Sequence, residues 1–385
     1  MTPSGARVPI DAQSVDAPLS RSAVFLTMSI GPDDDDLDAV RDVIADLDGL
    51  IKTVGFRDLG AHLSCVVGIG ATAWDRFVPH ARPRELHPFT PIAGGKHDAP
   101  ATHGDLLFHI RAERQDFCFE FERLLLAALG DHAVVTDEVS GFRYFDTRDL
   151  LGFVDGTANP VAQDLDASAL VGESDPAWAG GSYVVVQKYL HDLAGWDALG
   201  TDAQERIIGR SKSDNVERDS ATEARPSHKT LATIVDDAGV EHDILRDNMP
   251  FGRPGSDEYG TYFIGYSGEL WVLERMLERM FVGDPPGTYD RLLDFSRAVT
   301  GATFFAPTHD QLVDLEALAT APPSGPDAAP EPDAASPAPA PAPAPEPDAP
   351  APAPAPDHDL GIGSLRRPQG RTRPHGPTPP QGRTP

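Results

Sequence analysis

A long segment near the C-terminus limits how much of this chain can fold. Residues 322 to 358 are almost all Pro, Ala, Asp and Glu, a composition that cannot bury a core and favours an extended, polyproline-like chain. At roughly 3.1 Å per residue it would reach on the order of 110 Å. We therefore predict a tether over 318–358 and a folded body before it.

A short apolar patch follows the tether. In Asp359–Arg366 (DLGIGSLR), Leu360, Ile362 and Leu365 carry the first apolar side chains larger than Ala, apart from Pro, in some forty residues. An apolar patch on an otherwise disordered segment is typical of a docking peptide. The alternative is an incidental apolar trio in a disordered tail. A basic, Pro-rich end at 367–385 completes the chain.

The body carries most of the negative charge. The 385 residues leave room for two domains, and an apolar fraction of 40% is enough for real cores. From Val313 onward there are nine acids and five bases, a net charge of −4, which leaves −24 of the total −28 on the rest. An acidic body repels phosphate and anionic lipid, so nucleic acid and membrane surfaces are poor candidate partners.

Other features of the sequence indicate a cytoplasmic protein. Cys65 and Cys118 each lie in an apolar pattern, which predicts two buried thiols in a reducing compartment. The sequence has no CxxCH motif for covalent haem attachment, no secretion signal at its start, and no run of 18 apolar residues.

The first part of the body predicts an α+β unit. After a polar N-terminal segment at 1–21, which we expect to be flexible, a strand at 23–30 precedes a helix, and a strand at 63–69 precedes a long loop. A strand at 106–110 and a helix at 114–129 follow. This order favours an antiparallel or mixed sheet with helices on one face, as in a ferredoxin-like unit.

The second part repeats the plan. A strand at 183–187 leads to helical stretches that end near Ile208, and a strand at 259–266 runs into a helix at 269–280. The repetition suggests two ferredoxin-like halves, although strand-then-helix order is common in α+β proteins. We expect the N-terminal half at 22–150 and the C-terminal half at 151–317.

One glycine-rich stretch stands out between the halves. Gly152–Pro160 (GFVDGTANP) places a single carboxylate, Asp155, between two glycines that allow a sharp turn or a close approach to a ligand. Taken alone, the pattern favours an ordinary turn residue over a functional acid.

Further polar residues lie between 225 and 252. His228 stands in SHKT, and Arg246 and Asn248 stand in ILRDNMPFG. The guanidinium of Arg246 is flanked by apolar residues and needs a polar partner, and a structural salt bridge to Asp243 or Asp247 is as plausible as a role in a site.

The order and spacing of several segments resemble the dye-decolourising peroxidases, haem enzymes of a bacterial intracellular group. The resemblance spans roughly residues 20 to 315, and the matching segments are GFVDGTANP, IIGRSKSD (207–214), SHKT, ILRDNMPFG and GTYFIGYSG. Independently, DLGIGSLR is similar to the peptide that directs cargo proteins into encapsulin shells.

The resemblance implies one non-covalent haem b per chain, held mainly by the C-terminal half. His228 matches the proximal iron ligand, and Arg210 matches a residue that pairs with a haem propionate. Asp155 and Arg246 match the distal pair, and Asn248 matches a distal polar residue.

An acid should hold the other N–H of the proximal imidazole. We expect Asp290 in this role, with Asp284 as the alternative and two surface carboxylates as the structural explanation.

The implied chemistry is the oxidation of dyes, phenolics or similar electron donors by hydrogen peroxide, with an acidic pH optimum. The implied setting is an encapsulin nanocompartment in the cytoplasm, where Leu360, Ile362 and Leu365 bind the shell protein and several tails on a homo-oligomer add avidity. The alternative is a haem-binding carrier or iron-handling protein with incidental peroxidase turnover.

Overall fold

A computed structural model describes residues 13–161, 163–219 and 225–320 of the chain. The prediction that the tether begins at 318 is wrong for residues 318–320, which end a helix over Leu315–Thr320. The rest of the expected tether, the docking peptide with Leu360, Ile362 and Leu365, and the basic end at 367–385 lie outside the described part.

The described part alternates strands and helices. The strands are β1 (Ser22–Ile30), β2 (Ser64–Gly70), β3 (Ile92–Ala93), β4 (Asp98–Ala99), β5 (Leu106–Ala112), β6 (Ala133–Phe142), β7 (Ser182–His191), β8 (Ile234–Val235), β9 (Glu241–His242), β10 (Leu245–Arg246), β11 (Met249–Arg253), β12 (Glu258–Ser267), β13 (Ser296–Ala298) and β14 (Ala302–Ala306). The helices are α1 (Asp34–Ala45), α2 (Leu47–Gly55), α3 (Ala71–Phe77), α4 (Gln115–Leu129), α5 (Gln163–Ala169), α6 (Leu193–Asp197), α7 (Thr201–Ile208), α8 (His228–Ala232), α9 (Leu270–Phe281), α10 (His309–Val313) and α11 (Leu315–Thr320).

Eight of the strands close into an antiparallel barrel. The order is β12-β11-β6-β1-β5-β2-β14-β7, and β7 pairs back onto β12, while β10 and β13 extend the sheet beside β12 and β7. Closure removes the free edges that an open sheet would expose.

Each half contributes four strands in the same order. Strands β6-β1-β5-β2 and β14-β7-β12-β11 both follow the pattern fourth, first, third, second along the chain. This is the ferredoxin-like arrangement, so the prediction of an α+β fold with two ferredoxin-like units is confirmed. The sequence interpretation lacked β6, whose central residues are mostly exposed or half-buried and include Asp137 and Glu138.

Alternation along the strands separates an inner and an outer core. On β12, Tyr262, Ile264 and Tyr266 point into the barrel, where they pack with Phe25 and other inward residues. Phe263, between them, belongs to the outer core that the helices cover. The long helix α9 lies in this outer layer and buries Leu273, Met276 and Leu277 among other residues.

The start of the described chain differs from the expected flexible N-terminal segment. Gln13 and Val15 are buried, and the Gln13 side chain donates hydrogen bonds to the carbonyls of Val67 and Pro307, both at 2.9 Å. These contacts pin the segment to the barrel, because a buried amide needs such partners. Cys65 and Cys118 are both buried and free, as the sequence predicts.

Candidate active site

The glycine-rich turn has a specific backbone shape around Asp155. Gly152 and Gly156 have φ values of +91° and +73°, which L residues rarely adopt. At Gly152 space is also limiting, because a Cβ would lie 2.5 Å from Cε of Lys212. The carboxylate of Asp155 accepts a hydrogen bond from the Gly156 N–H at 2.7 Å, so the turn fixes its orientation.

Buried anchors hold the turn in place. Leu151 and Phe153 pack with Trp196, whose indole N–H donates to the Leu151 carbonyl at 2.9 Å. Arg148 donates to the carbonyls of Gly152 and Lys212, both at 2.8 Å. The position of Asp155 therefore depends on packing against α6 and on the loop after α7.

The turn forms one wall of a cavity of about 160 Å³. Its lining is mostly apolar, and every lining residue comes from position 149 or later. The apolar residues include Leu151, Phe153, Val154, Tyr189, Ile208, Ala232, Phe263, Met276, Leu277, Met280, Leu292 and Leu293, and the polar ones are Asp149, Asp155, His191, His228, Arg246, Asn248, Thr261 and Ser296. A mostly apolar cleft with a few convergent polar groups is typical of a cofactor site.

His228 is the first residue of α8, after the N-cap Ser227. Its Nδ1 lies 2.6 Å from Oδ2 of Asp290, a fully buried carboxylate. Asp284, the alternative acid, is instead 53% exposed and lies 3.6 Å from Nε of Arg279. Burial lowers the pKa of His228, but the charge and the hydrogen bond of Asp290 outweigh it, so the pKa is raised overall.

Arg246 ends β10 and lines the cavity. The side chain of Asn159 holds its backbone, accepting from the Arg246 N–H at 3.1 Å and donating to the Arg246 carbonyl at 2.6 Å. Burial lowers the pKa of the guanidinium, and the charges of Asp155 and Asp243 oppose this effect. The possible salt bridge to Asp247 is not formed, since Asp247 pairs with Arg111 at 3.1 Å.

Asn248 connects the turn to the barrel. Its Nδ2 lies 3.5 Å from Oδ1 of Asp155, and its Oδ1 accepts from the N–H of Ile264 at 3.2 Å. The Asn248 side-chain amide therefore links Asp155 in the cavity to strand β12 of the barrel.

Two further polar residues line the cavity. Burial raises the pKa of Asp149 to about 7, and Oδ1 of Asp149 accepts from the Phe153 N–H at 2.9 Å. Burial lowers the pKa of His191 to about 4, so this ring is neutral at physiological pH.

Two smaller cavities adjoin the main one. One of about 140 Å³ shares Asp155, His228 and Arg246 with it and adds Arg210. The Arg210 guanidinium donates to the Asn215 carbonyl at 3.0 Å and lies 3.7 Å from Glu217. The other, of about 40 Å³, is lined by Asp155, Arg246 and Asn248 among other residues.

Five of the six predicted body residues thus line adjoining cavities, and the sixth, Asp290, is buried behind His228. The sequence interpretation missed three residues of the site: Asp149, Asn159 and His191. Asp149 and Asn159 lie within or next to the glycine-rich motif, which is the signal that could have found them, whereas His191 ends an apolar strand that offers no such signal.

Two family models cover most of the described chain. The model for "Dyp-type peroxidase, N-terminal" matches residues 13–143, and the model for "Dyp-type peroxidase, C-terminal" matches residues 146–311. The chain belongs to the Dyp-type peroxidase family. A dye-decolorizing peroxidase of Rhodococcus erythropolis is 52% identical to this peroxidase over 307 residues, which are 80% of this chain and 89% of the relative.

Solved structures agree with this assignment. A DypB variant from Rhodococcus jostii RHA1 in complex with heme is 58% identical, with a TM-score of 0.76, and the match covers 77% of this chain and 96% of that one. The encapsulated DyP-type peroxidase from Mycobacterium smegmatis is 51% identical, with a TM-score of 0.77, covering 79% of this chain and 98% of that one. This peroxidase is a haem enzyme.

The residues of the cavity fit a haem group. The wide apolar lining suits a porphyrin face, and His228 offers a single imidazole whose Nδ1 is already held by a carboxylate. Within residues 13–161, 163–219 and 225–320, no cluster of three or more His, Cys, Asp or Glu side chains is arranged to hold a metal ion. Over the same ranges, no helix is long and apolar enough to cross a membrane.

Proposed function

We propose that this peroxidase uses hydrogen peroxide to oxidise dyes, phenolics or similar small donors, with one non-covalent haem b in the cavity beside His228. The observation that carries the proposal is that Asp155, Arg246 and His228 line one mostly apolar cavity. Haem bound there supplies a redox-active iron that peroxide oxidises and that electron donors reduce again.

His228 would ligate the iron through Nε2. Asp290 would keep the Nδ1 proton oriented and make the imidazole more electron-donating, as second-shell carboxylates do. Arg210, in the adjoining cavity, would pair with a propionate.

Asp155 and Arg246 would divide the peroxide chemistry. Asp155 would take a proton from the near oxygen of hydrogen peroxide and deliver it to the leaving oxygen. Arg246 would hold the negative charge that develops on the leaving oxygen, an interaction that is strong in a water-poor site. Asn248, 3.5 Å from Asp155, would help to orient the carboxylate.

Absorption spectroscopy combined with turnover tests the proposal. The purified protein should show a Soret band that changes after one equivalent of peroxide, and it should turn over a dye steadily. His228→Ala should lose the native ligation spectrum. A haem that exchanges freely and gives negligible turnover would instead support the haem carrier or iron-handling alternative.

We further propose that the chain is cargo of an encapsulin nanocompartment in the cytoplasm, as a homo-oligomer. Support comes from the DLGIGSLR segment and from the similarity to the encapsulated Mycobacterium smegmatis enzyme. Leu360, Ile362 and Leu365 would fill pockets on the shell's inner wall.

Co-expression with an encapsulin shell tests this packaging. Deletion of 359–385 and a Leu360→Ala, Ile362→Ala, Leu365→Ala variant should both lose co-purification with the shell. Deletion of 367–385 is the matched control, because it keeps the peptide. Unchanged co-purification of the longer deletion would refute the proposal.

A further inference from the structure

The interior of the barrel holds a polar cluster that the proposed peroxide chemistry does not use. His109 and Arg111 on β5, Tyr266 on β12 and Asp247 after β10 are all buried, with relative exposures of 0%, 1%, 0% and 3%. They lie among apolar inward residues such as Phe25, whose ring stacks on His109 at 4.7 Å. Burying four polar groups in an apolar core is costly unless they have partners.

A hydrogen bond between Tyr266 and His109 is the central feature of this cluster. The phenol oxygen of Tyr266 lies 2.8 Å from Nδ1 of His109. On the far side of the ring, Nε2 lies 3.8 Å from Oδ2 of Asp247, which Arg111 also contacts at 3.1 Å. A proton acceptor therefore lies against the phenol, and a carboxylate lies beyond it at a distance longer than a hydrogen bond.

The protonation states define the direction of this hydrogen bond. Burial, aided by the charge of Arg111, lowers the pKa of His109 well below its ordinary value, so the ring is neutral. Burial raises the pKa of Tyr266, so the phenol keeps its proton. The carboxylate near Nε2 favours an N–H at that atom, which leaves Nδ1 to accept from the Tyr266 O–H.

The cluster is close to the haem cavity through the sheet. Tyr266 pairs with Leu245, and the preceding Gly265 pairs with Arg246, which lines the cavity. Paired strands lie about 4.8 Å apart. Asp247 stands between Arg246 and Asn248, both of which line the cavity.

We propose that Tyr266 and His109 form an internal redox site that gives one electron to the peroxide-oxidised haem. Tyr266 loses one electron, its O–H bond breaks, and the proton moves to Nδ1 of His109. The products are a neutral phenoxyl radical and an imidazolium, and the haem is reduced by one electron. The imidazolium faces Asp247, whose charge stabilises it. An external donor later returns the electron, and the proton moves back.

Two other tyrosines lack this arrangement. Tyr189 lines the cavity, but its hydroxyl donates to Oε1 of the Gln187 side chain at 2.6 Å, and an amide is a poor proton acceptor. The oxygen of Tyr289 accepts from Lys96 at 2.8 Å, and the Arg225 guanidinium lies 4.9 Å from its ring. Tyr289 therefore faces cations and has no neutral base at its oxygen in these contacts. Of these three tyrosines, Tyr266 is the one whose hydroxyl lies against an imidazole nitrogen.

Electron paramagnetic resonance tests the proposal without a reducing substrate. Haem-loaded protein is mixed with one equivalent of peroxide and frozen, in samples with ordinary and ring-deuterated tyrosine. We expect a tyrosyl radical whose signal narrows on deuteration. At equal haem loading, Tyr266→Phe should lower the tyrosyl radical yield at least about tenfold, whereas Tyr189→Phe and Tyr289→Phe should give the wild-type yield. Because the proposal rests on the proposed peroxidase function, the Soret band of each sample is recorded first. A radical that persists in Tyr266→Phe, or none in a wild-type sample whose Soret band responds to peroxide, would overturn the proposal, whereas an unresponsive Soret band would refute the peroxidase function itself.

A second measurement covers the case in which Tyr266→Phe fails to load haem. In wild-type protein labelled with ¹⁵N-histidine, pulsed measurements should detect coupling between the tyrosyl radical and an imidazole nitrogen. His109→Gln, which keeps an acceptor but a much less basic one, should lower the yield. Absence of the nitrogen coupling would overturn the assignment.

Discussion

Nδ1 of His228 and Oδ2 of Asp290 are 2.6 Å apart, and Asp290 has no exposed surface. The second carboxylate oxygen accepts from the N–H of Leu292 at 2.9 Å, so the loop itself fixes the acid. Because the chain brings a buried negative charge to one ring nitrogen, the other nitrogen becomes a stronger electron donor toward a metal.

Asp290→Asn should therefore make the His228 imidazole a weaker electron donor to the haem iron. We expect a higher haem reduction potential and a peroxide reaction slowed about 10- to 100-fold, the range typical of second-shell substitutions. Spectroelectrochemistry and stopped-flow absorption measure the two quantities. Asp284→Asn is the matched control, since that acid is 53% exposed and contacts Arg279 instead. Equal effects of the two substitutions would contradict the role of Asp290.

Arg246→Leu should be at least as damaging as Asp155→Ala. Loss of a preorganised charge in a water-poor site typically costs about 10²- to 10³-fold in rate, comparable to the loss of a general acid or base. The rate of the first spectral change after mixing with peroxide measures the effect. Arg253→Leu, at an exposed position of β11, should leave the rate unchanged. If Arg246→Leu reacts with peroxide at the wild-type rate, Arg246 does not hold the charge on the leaving oxygen.

Arg210→Leu should loosen haem binding. Its guanidinium has only a backbone carbonyl and a distant Glu217 as protein partners in the contacts described above, so it can pair with a propionate. We expect haem transfer to excess apomyoglobin to become about tenfold faster, roughly 1.4 kcal/mol of lost interaction. Arg218→Leu, whose guanidinium already contacts Glu205 at 2.8 Å, should show little change. Equal transfer rates for wild type and Arg210→Leu would rule out this pairing.

Asp149 should make stability depend on pH. Its pKa is raised from 3.8 to about 7, so the folded protein holds a proton that the unfolded chain releases between these values. Stability contributed by this group is therefore lost as pH rises from about 4 to 7. The full shift corresponds to about 4 kcal/mol, and partial access through the cavity should reduce it to about 1 to 2 kcal/mol.

Denaturant unfolding of haem-loaded Asp149→Asn at pH 5 and pH 8 checks this expectation. The variant cannot titrate at this position, so its stability relative to wild type should increase with pH. A relative stability that is the same at both pH values would show that Asp149 is not held neutral by burial.

Much of the fold follows from local sequence patterns. The strand at 23–30 is a continuous apolar run, α1 has apolar residues at helical spacing, and β12 followed by α9 repeats this strand-then-helix order in the second half. Closure of the barrel could not be predicted in this way. It depends on pairs such as Phe251 with Gly141, which are remote in sequence, and on β6, whose mostly exposed and half-buried residues give a weak apolar pattern.

The site, too, contains some residues that the sequence alone identifies and others whose roles depend on the folded structure. Asp155, His228 and Arg246 stand in recognisable segments, so the sequence alone identifies them as candidates. Asn159 supports the site through hydrogen bonds to Arg246, 87 positions away. Contacts of this kind form only in the folded chain. The buried pair of His109 and Tyr266 is another example, because these two residues are also remote in sequence.

Few backbone residue pairs join the two halves of the barrel. Strands β6 and β11 share one residue pair, and β2 and β14 share two, whereas β7 and β12 within one half share eight. A half on its own would expose two strand edges of the kind that recruit other chains. Connecting both halves in one polypeptide makes their association intramolecular. The high effective concentration compensates for the small number of backbone pairs between β6 and β11 and between β2 and β14. The cavity proposed for haem, lined almost entirely by the second half, thus depends on a partner that the same chain supplies.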